Sequence, residues 1–138
     1  IFNWSNDPLV RAQSFKSDTI EYQNHENWLK EKLKSDDSLL LINQFKGNNI
    51  GMVRFDVEKD KCTVGILLDK KYRGKGLSSL MLIISSTYYF SRFSIPISAH
   101  IKESNIASIR SFEKAGYNFF NEITVNGLNT LVYKLEEI

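Results

Sequence analysis

The stretch Lys71-Tyr72-Arg73-Gly74-Lys75-Gly76-Leu77-Ser78 joins two elements of different period. Before it lies Cys62–Leu68, an apolar run of strand length. After Gly76 the apolar residues Leu77, Leu80, Met81, Ile84 and Tyr88 recur at helical spacing. A glycine-rich turn between a strand and a helix lets consecutive amide N–H groups converge with no Cβ in the way. The helix N-terminus adds partial positive charge, and together they make a cradle for a pyrophosphate. Lys71, Arg73 and Lys75 add formal charge. The plainer alternative is a tight turn with solvated lysines. Two named phosphate motifs do not fit. The third glycine position of a dinucleotide fingerprint is Ser79, and no second Rossmann half follows; a P-loop needs Ser or Thr after Gly74-Lys75, where Gly76 stands.

The pattern on either side of the loop predicts the rest. Upstream, residues 50–57 alternate, with Val53, Phe55 and Val57 on one face and Met52, Arg54 and Asp56 on the other, as in a half-buried strand. Ser38–Phe45 is a further strand, and Gly47-Asn48-Asn49 turns between the two. Gly65, inside the Cys62–Leu68 strand, marks a bulge or a close backbone approach. Residues 21–34 form an amphipathic helix with Tyr22, Trp28, Leu29 and Leu33 near one face. Residues 2–11 form a short helix or helical turn around Asn6-Asp7-Pro8. Downstream come a strand at Ile95–Ile101 and a helix at Asn105–Ala115, stopped by Gly116. Tyr117–Val125 and Leu128–Leu135 then flank Asn126-Gly127, a strong hairpin signal. This order predicts a single α+β domain over residues 1–138, with a mixed, mostly antiparallel twisted sheet flanked by about four helices. The meander lacks an opening strand and the chain begins at Ile1 rather than Met, so that strand is expected to precede Ile1.

Composition narrows the class. The chain has 138 residues, with 42% hydrophobic, 25% charged, 9 Phe, 6 Tyr and 2 Trp, enough to bury a core. A net charge of +2 is far from the concentrated basic face of a nucleic-acid binder but suits an anionic small molecule. The single cysteine, Cys62, rules out an internal disulfide framework and a cysteine-based metal site. The longest membrane-span candidate, Leu77–Phe93, is interrupted by Ser and Thr and falls short of a span of about 20 apolar residues. With no signal peptide visible, a cytoplasmic protein without membrane or nucleic-acid partners is expected.

The second informative segment is His100-Ile101-Lys102-Glu103-Ser104-Asn105, leading into Ile106 through Tyr117. Read alone, Asn105 is a helix N-cap. Read together, Val64–Ser79 and Ile101–Tyr117 resemble motifs A and B of the GNAT superfamily of N-acetyltransferases: Gln/Arg-x-x-Gly-x-Gly/Ala, then Val-x-x-x-Asn-x-x-Ala/Ser with a closing Lys-x-Gly-Phe/Tyr. Lys71 departs from the usual Gln/Arg and keeps a cation. The element order also agrees, so the resemblance covers nearly the whole chain.

The resemblance implies acetyl-CoA as cofactor. Its pyrophosphate would sit on the amides of Arg73, Gly74, Lys75, Gly76, Leu77 and Ser78, beside Lys71. Its pantetheine arm would pair with the backbone of Ile66, Leu67 and Leu68, an N–H near Ile66 would polarise the thioester carbonyl, and Asn105 would contact the arm or phosphates. An amine would attack the thioester directly. His100, beside the motif B Val position at Ile101, is the candidate base, at a place where the ribosomal-protein branch carries Glu. His25 is the second histidine, expected on the polar part of its helix. Cys62 stands where the histone branch keeps a glutamate. Many members place an acidic Tyr seven residues after the motif B Asn; here that residue is Phe112. No metal is implied.

The opening Phe2-Asn3-Trp4-Ser5-Asn6-Asp7-Pro8-Leu9-Val10-Arg11 is similar to two GNAT subgroups, one acetylating protein N-termini including ribosomal proteins, the other acetylating nucleotide-linked amino sugars on routes to pseudaminic and related nonulosonic acids. Ser14-Phe15 and residues 20–29 are closer to the sugar subgroup. This implies a UDP-linked 4-amino-4,6-dideoxy sugar as acceptor, with Trp4, Asn6, Arg11, Phe15, Trp28 and Arg54 lining its site. Stacking on Trp or Phe and bidentate Arg contacts suit a nucleoside diphosphate. Peptide N-termini, another small amine, and a non-catalytic acyl-CoA-binding module are the alternatives. A homodimer through the last strands is a family expectation.

Overall fold

Tight turns and one helical crossover generate the sheet. The computed structural model describes residues 1–13, 21–34 and 38–137. Its elements are α1 (Phe2–Ser5), α2 (Pro8–Gln13), α3 (Tyr22–Lys34), β1 (Ser38–Phe45), β2 (Asn48–Glu58), β3 (Lys61–Leu68), a 3-10 turn (Lys70–Tyr72), α4 (Leu77–Phe90), β4 (Ile97–Lys102), α5 (Ile106–Lys114), β5 (Asn118–Val125) and β6 (Leu128–Leu135). The six strands lie in the order β1-β2-β3-β4-β6-β5. All neighbours are antiparallel except β3 and β4, which the α4 crossover makes parallel. Asn126 and Gly127, with φ of 50° and 76°, give β5 and β6 the hairpin turn their sequence calls for. The sheet is mixed and the class α+β, as expected.

Strand alternation sorts the two faces. On one, Phe55 of β2 stacks on Tyr89 of α4 at 4.8 Å, Tyr89 stacks on Phe93 at 5.1 Å, and Tyr133 of β6 reaches Glu113 of α5. This face carries the core: Val53, Phe55, Cys62, Val64, Ile97, Ala99 and Ile101 are all buried. The opposite face carries α3, whose Trp28 lies under the Arg54 guanidinium at 5.1 Å. Burial pushes the Cys62 thiol up to about 11, so it is a core residue and not a nucleophile.

Four expectations need correction. The N-terminal helix is two helices, because Pro8 cannot continue α1 and instead opens α2. The inward face of α4 is Met81, Leu82, Ser85, Ser86 and Tyr89, while Leu80, Ile84 and Tyr88 are exposed. The buried serines find partners, Ser85 with Asn43 and Ser86 with Tyr117, which lets polar residues occupy the core side. On α3, His25 points inward and Tyr22 outward; the Leu33 side chain lies outside the described residues. Last, β2 and β3 pair without a register shift, so Gly65 makes no bulge. It faces Arg54 instead, and a Cβ there would come within 3.3 Å of the guanidinium.

No helix among the described residues is long and apolar enough to cross a membrane. Gly51 is a point of close approach: a Cβ would overlap the Leu67 carbonyl oxygen and lie 2.7 Å from Met81 Cε. Gly51→Ala is therefore expected to cost about 1–3 kcal/mol of stability, as overpacking does, read from the urea midpoint. An unchanged midpoint would contradict the packing described.

Candidate functional site

Parallel pairing between β3 and β4 consists of Cys62 opposite Ile97 and Thr63 opposite Ser98. Beyond these the strands diverge. β3 continues to Leu68 held only by β2, and β4 continues to Lys102 held only by β6. A wedge therefore opens between residues 64–68 and residues 99–102. Ile66, Leu67 and Leu68 form one limb, with the outer strand edge unpaired along the ladder. An extended ligand can add to such an edge as a further strand.

The glycine loop lies at the mouth of the wedge. Asp69 follows β3 and caps the 3-10 turn, accepting the Lys71 N–H at 2.9 Å. Gly74 and Gly76 hold φ of +76° and +74°, where other residues are strained, and a Cβ at either would meet nothing within 4 Å. The space over the loop is open, and Gly76 is the N-cap of α4 with no side chain covering the helix end. This is the arrangement a pyrophosphate needs, and it fits coenzyme A. Lys71 and Lys75 are exposed on the loop, Lys75 lying 5.7 Å over the Tyr72 ring. Leu77 packs on the core, and Ser78 Oγ pairs with Ser111 Oγ at 2.6 Å, joining α4 to α5.

His100 sits on the diverging limb of β4, on the α3 face, opposite in direction to buried Ala99 and Ile101. Its side chain is exposed at the surface, and partial desolvation lowers its imidazole pKa from the ordinary value, which favours the neutral form. Asn105 caps α5, its Oδ1 accepting the Ser108 N–H at 3.3 Å and its Nδ2 donating to Ser108 Oγ at 3.1 Å. Phe112 is buried against Tyr117, ring centroids 5.0 Å apart. Each nearby phenol is engaged elsewhere: Tyr117 with Ser86, Tyr89 with the Ile95 carbonyl, Tyr133 with Glu113. Burial raises the pKa of all three.

The acceptor-side residues fall into two groups. Trp28 and Arg54 come together on the α3 face, with Arg54 Nε 2.9 Å from Asp56 Oδ2. Trp4 and Asn6 lie elsewhere, lining a cleft of about 430 Å³ beside Asp69 and Lys71. Trp4 donates its indole N–H to Asp69 at 3.0 Å, and Arg73 meets Asp7 at 3.3 Å, so these two predicted ligand contacts are tied to protein groups. Arg11 is partly buried in α2, its N–H bonded to the Asp7 carbonyl at 3.0 Å. Phe15 lies outside the described residues. Asp69 was missed, although an acidic residue between a strand and a turn is a local capping signal. Asp7 as a partner of Arg73 was not legible, because the two are 66 positions apart. Among the described residues no cluster of His, Cys, Asp and Glu could hold a metal.

A family model described as Acetyltransferase (GNAT) domain matches residues 1–118. The chain belongs to the GNAT acetyltransferase family. This GNAT protein is an acetyl-CoA-dependent N-acetyltransferase. No curated protein matches it. Among solved structures it is similar to a spermidine N-acetyltransferase from Vibrio cholerae in complex with CoA and spermine, at 14% identity over 98% of this chain and 86% of that one, TM-score 0.85. It is also similar to the aminoglycoside acetyltransferase AAC(6')-Ib in complex with coenzyme A and kanamycin, at 18% identity over 98% and 86% of the two chains, TM-score 0.82. A ribosomal-protein-alanine N-acetyltransferase from Brucella melitensis matches at 16% identity over 99% and 91%, TM-score 0.84. At these identities the likeness is one of fold.

His25 gives a test of the packing between α1 and α3. Its ring lies between Phe2 and Trp28, 5.5 Å from each, and its Nε2 is buried without a hydrogen bond. Burial lowers its pKa below 6.5, so the unfolded chain takes up a proton at higher pH than the folded one. The stability from the neutral ring is complete above pH 6.5 and is lost as pH falls through the folded pKa. His100 has the same sign and is present in both proteins. Wild type is thus expected to lose more stability than His25→Phe between pH 7.5 and 5.5, measured by urea unfolding at each pH; equal losses would contradict a buried neutral His25.

Proposed function

We propose that this enzyme acetylates a primary amine on an anionic small molecule, a nucleotide-linked amino sugar being the class that fits best, with His100 as the base. The observation that carries this reading is charge on the α3 face of the sheet. By strand alternation that face carries Arg54, Lys61, His100, Lys102 and Lys134 against Asp56 and Glu58. A polycationic acceptor would want carboxylates there. A diphosphate would meet Arg54, which pairs with Asp56 through Nε and whose guanidinium lies 5.1 Å from the centre of the Trp28 ring, an arrangement that suits a phosphate beside a stacked base.

Acetyl-CoA supplies an acetyl thioester. The amides of Gly74, Lys75 and Gly76 and the start of α4 hold its pyrophosphate, with Lys71 and Lys75 adding charge. The open edge of Ile66, Leu67 and Leu68 aligns the pantetheine arm, and the Ile66 N–H polarises the carbonyl. As the amine nitrogen bonds to the carbonyl carbon, the C–S bond breaks and His100 takes the amine proton, which passes on to solvent. The sulfur leaves as a thiolate, because Phe112 has no proton to give.

A thiol-release assay with acetyl-CoA tests this against UDP-4-amino-4,6-dideoxy sugars, N-terminal peptides and spermine. Turnover of the UDP-amino sugars alone is expected. Turnover of peptides or spermine alone would overturn the anionic-acceptor reading, and silence throughout with CoA still protecting the fold would favour a binding module. His100→Gln is expected to lower kcat about 10²–10⁴-fold while leaving CoA-induced thermal protection intact. Besides the limb set by protonation of the acceptor amine, wild-type kcat/KM is expected to carry an acid limb from this imidazole, which must be neutral to accept a proton and whose pKa is lowered by desolvation. Retention of that limb in His100→Gln would assign the base elsewhere.

A further inference from the structure

We propose that Asp7 is a positioning residue for the cofactor loop. With Trp4 it forms a clasp through which coenzyme A binding tightens helices α1 and α2. The inference rests on the reading of Gly74–Gly76 as the pyrophosphate cradle.

Arg73 directly precedes the first glycine of the loop, yet its side chain turns back. Nε donates to the Leu68 carbonyl at 3.1 Å and a terminal nitrogen to Asp7 Oδ1 at 3.3 Å. Four residues earlier, Asp69 divides its carboxylate. One oxygen takes the Lys71 N–H at 2.9 Å and the other takes the Trp4 indole N–H at 3.0 Å. These bonds hold the Asp69 carboxyl below its ordinary pKa, the Lys71 amide most of all. The Asp69 backbone is fixed as well, its N–H on Ile50 at 2.7 Å and its carbonyl accepting from Tyr72 at 2.9 Å. The two attachments therefore bracket the 3-10 turn, one at the loop's start and one at its glycines.

Both attachments end on one short piece of chain. Trp4 and Asp7 are joined by the Asp7 N–H on the Trp4 carbonyl at 3.3 Å, and the Asp7 carbonyl accepts from Arg11 at 3.0 Å. The piece thus behaves as a unit with the loop. The Asp7 and Arg73 side chains are 16% and 27% exposed, sheltered enough that solvent does not screen the pair as it would on an open surface. An anion on the loop amides restricts Gly74 and Gly76, whose lack of a Cβ leaves their backbone a wide choice of conformation. It thereby restricts Arg73, and the restriction passes through Asp7 to α1 and α2. By linkage the coupling is reciprocal.

Hydrogen exchange of the whole chain, with and without saturating coenzyme A, tests this. In wild type, coenzyme A is expected to slow exchange at the loop amides. It is also expected to slow Ser5, Asn6, Asp7 and Arg11 by about tenfold, a usual size for coupling between sites. In Asp7→Ala the loop protection is expected to persist while the protection of residues 5 to 11 by coenzyme A disappears. A merely structural Asp7 would raise exchange equally with and without ligand. Loop protection without protection of residues 5 to 11 in wild type, or the same protection in Asp7→Ala, would overturn the clasp and leave the cradle standing. Coenzyme A binding that leaves the loop amides unprotected would overturn the cradle and the clasp with it.

Discussion

The two backbone rungs between β3 and β4 set the geometry that the functional end of this molecule uses. On one side, β1, β2 and β3 form a meander with continuous pairing between β2 and β3; on the other, β4, β6 and β5 form a second antiparallel unit. The twist of each unit carries β3 and β4 apart as soon as nothing holds them together. What holds them at the closed end is core packing. Cys62 and Ile97, directly opposite, are fully buried, and Tyr89 lies over them with its hydroxyl on the Ile95 carbonyl. Closing the wedge further would require the limbs to twist against their own partners. Opening it further would pull Tyr89 from its stack on Phe55 and Phe93. The wedge is thus a consequence of a packed end and a free end, without any bulge at Gly65.

That arrangement separates two chemistries on two faces. The glycine loop feeds into α4, which packs with α5 on the Phe55 face. His100 faces the other way, toward α3 and the Arg54–Trp28 pair. On the proposed reading, a donor held by backbone amides and an acceptor held by side chains meet only through the wedge. This division explains why the donor side is built from glycines and strand edge, which recognise a common cofactor, while the acceptor side is built from Arg, Trp, Lys and His, which distinguish one amine from another.

Much of the fold was legible because its signals are local. The glycine loop, the Asn126-Gly127 hairpin, the Asn105 cap and the strand alternation of residues 50–57 each depend on neighbours within a few positions. The errors share a different cause. His25 was placed on a polar helix face, but Phe2 and Trp28 flank it, and Phe2 belongs to another helix. Helix α4 is apolar on both sides, so its period could not say which side turns inward. The decision rests on Asn43 of β1 and on Tyr117, just before β5, which give Ser85 and Ser86 distant partners. In the site, the glycines could be read, whereas the tie of Trp4 and Asp7 to the loop could not, since both partners lie more than sixty positions away.

The absence of a phenol at Phe112 fits the rest of this inventory. A thiol has a reference pKa of about 8.5, so a departing thiolate is stable near neutral pH and needs no proton in the same step. An alkoxide would. The demanding proton transfer is therefore the one from the amine, which becomes strongly acidic as its nitrogen bonds to the carbonyl carbon. On the proposed reading a neutral imidazole suits that task, and partial desolvation lowers the His100 pKa, which favours the neutral form. Filling the Phe112 position with an apolar ring also closes the α5 side of the core against Tyr117. A hydroxyl buried there without a partner would cost stability, so the phenyl ring serves the packing, and on the proposed reading the imidazole across the sheet serves the chemistry.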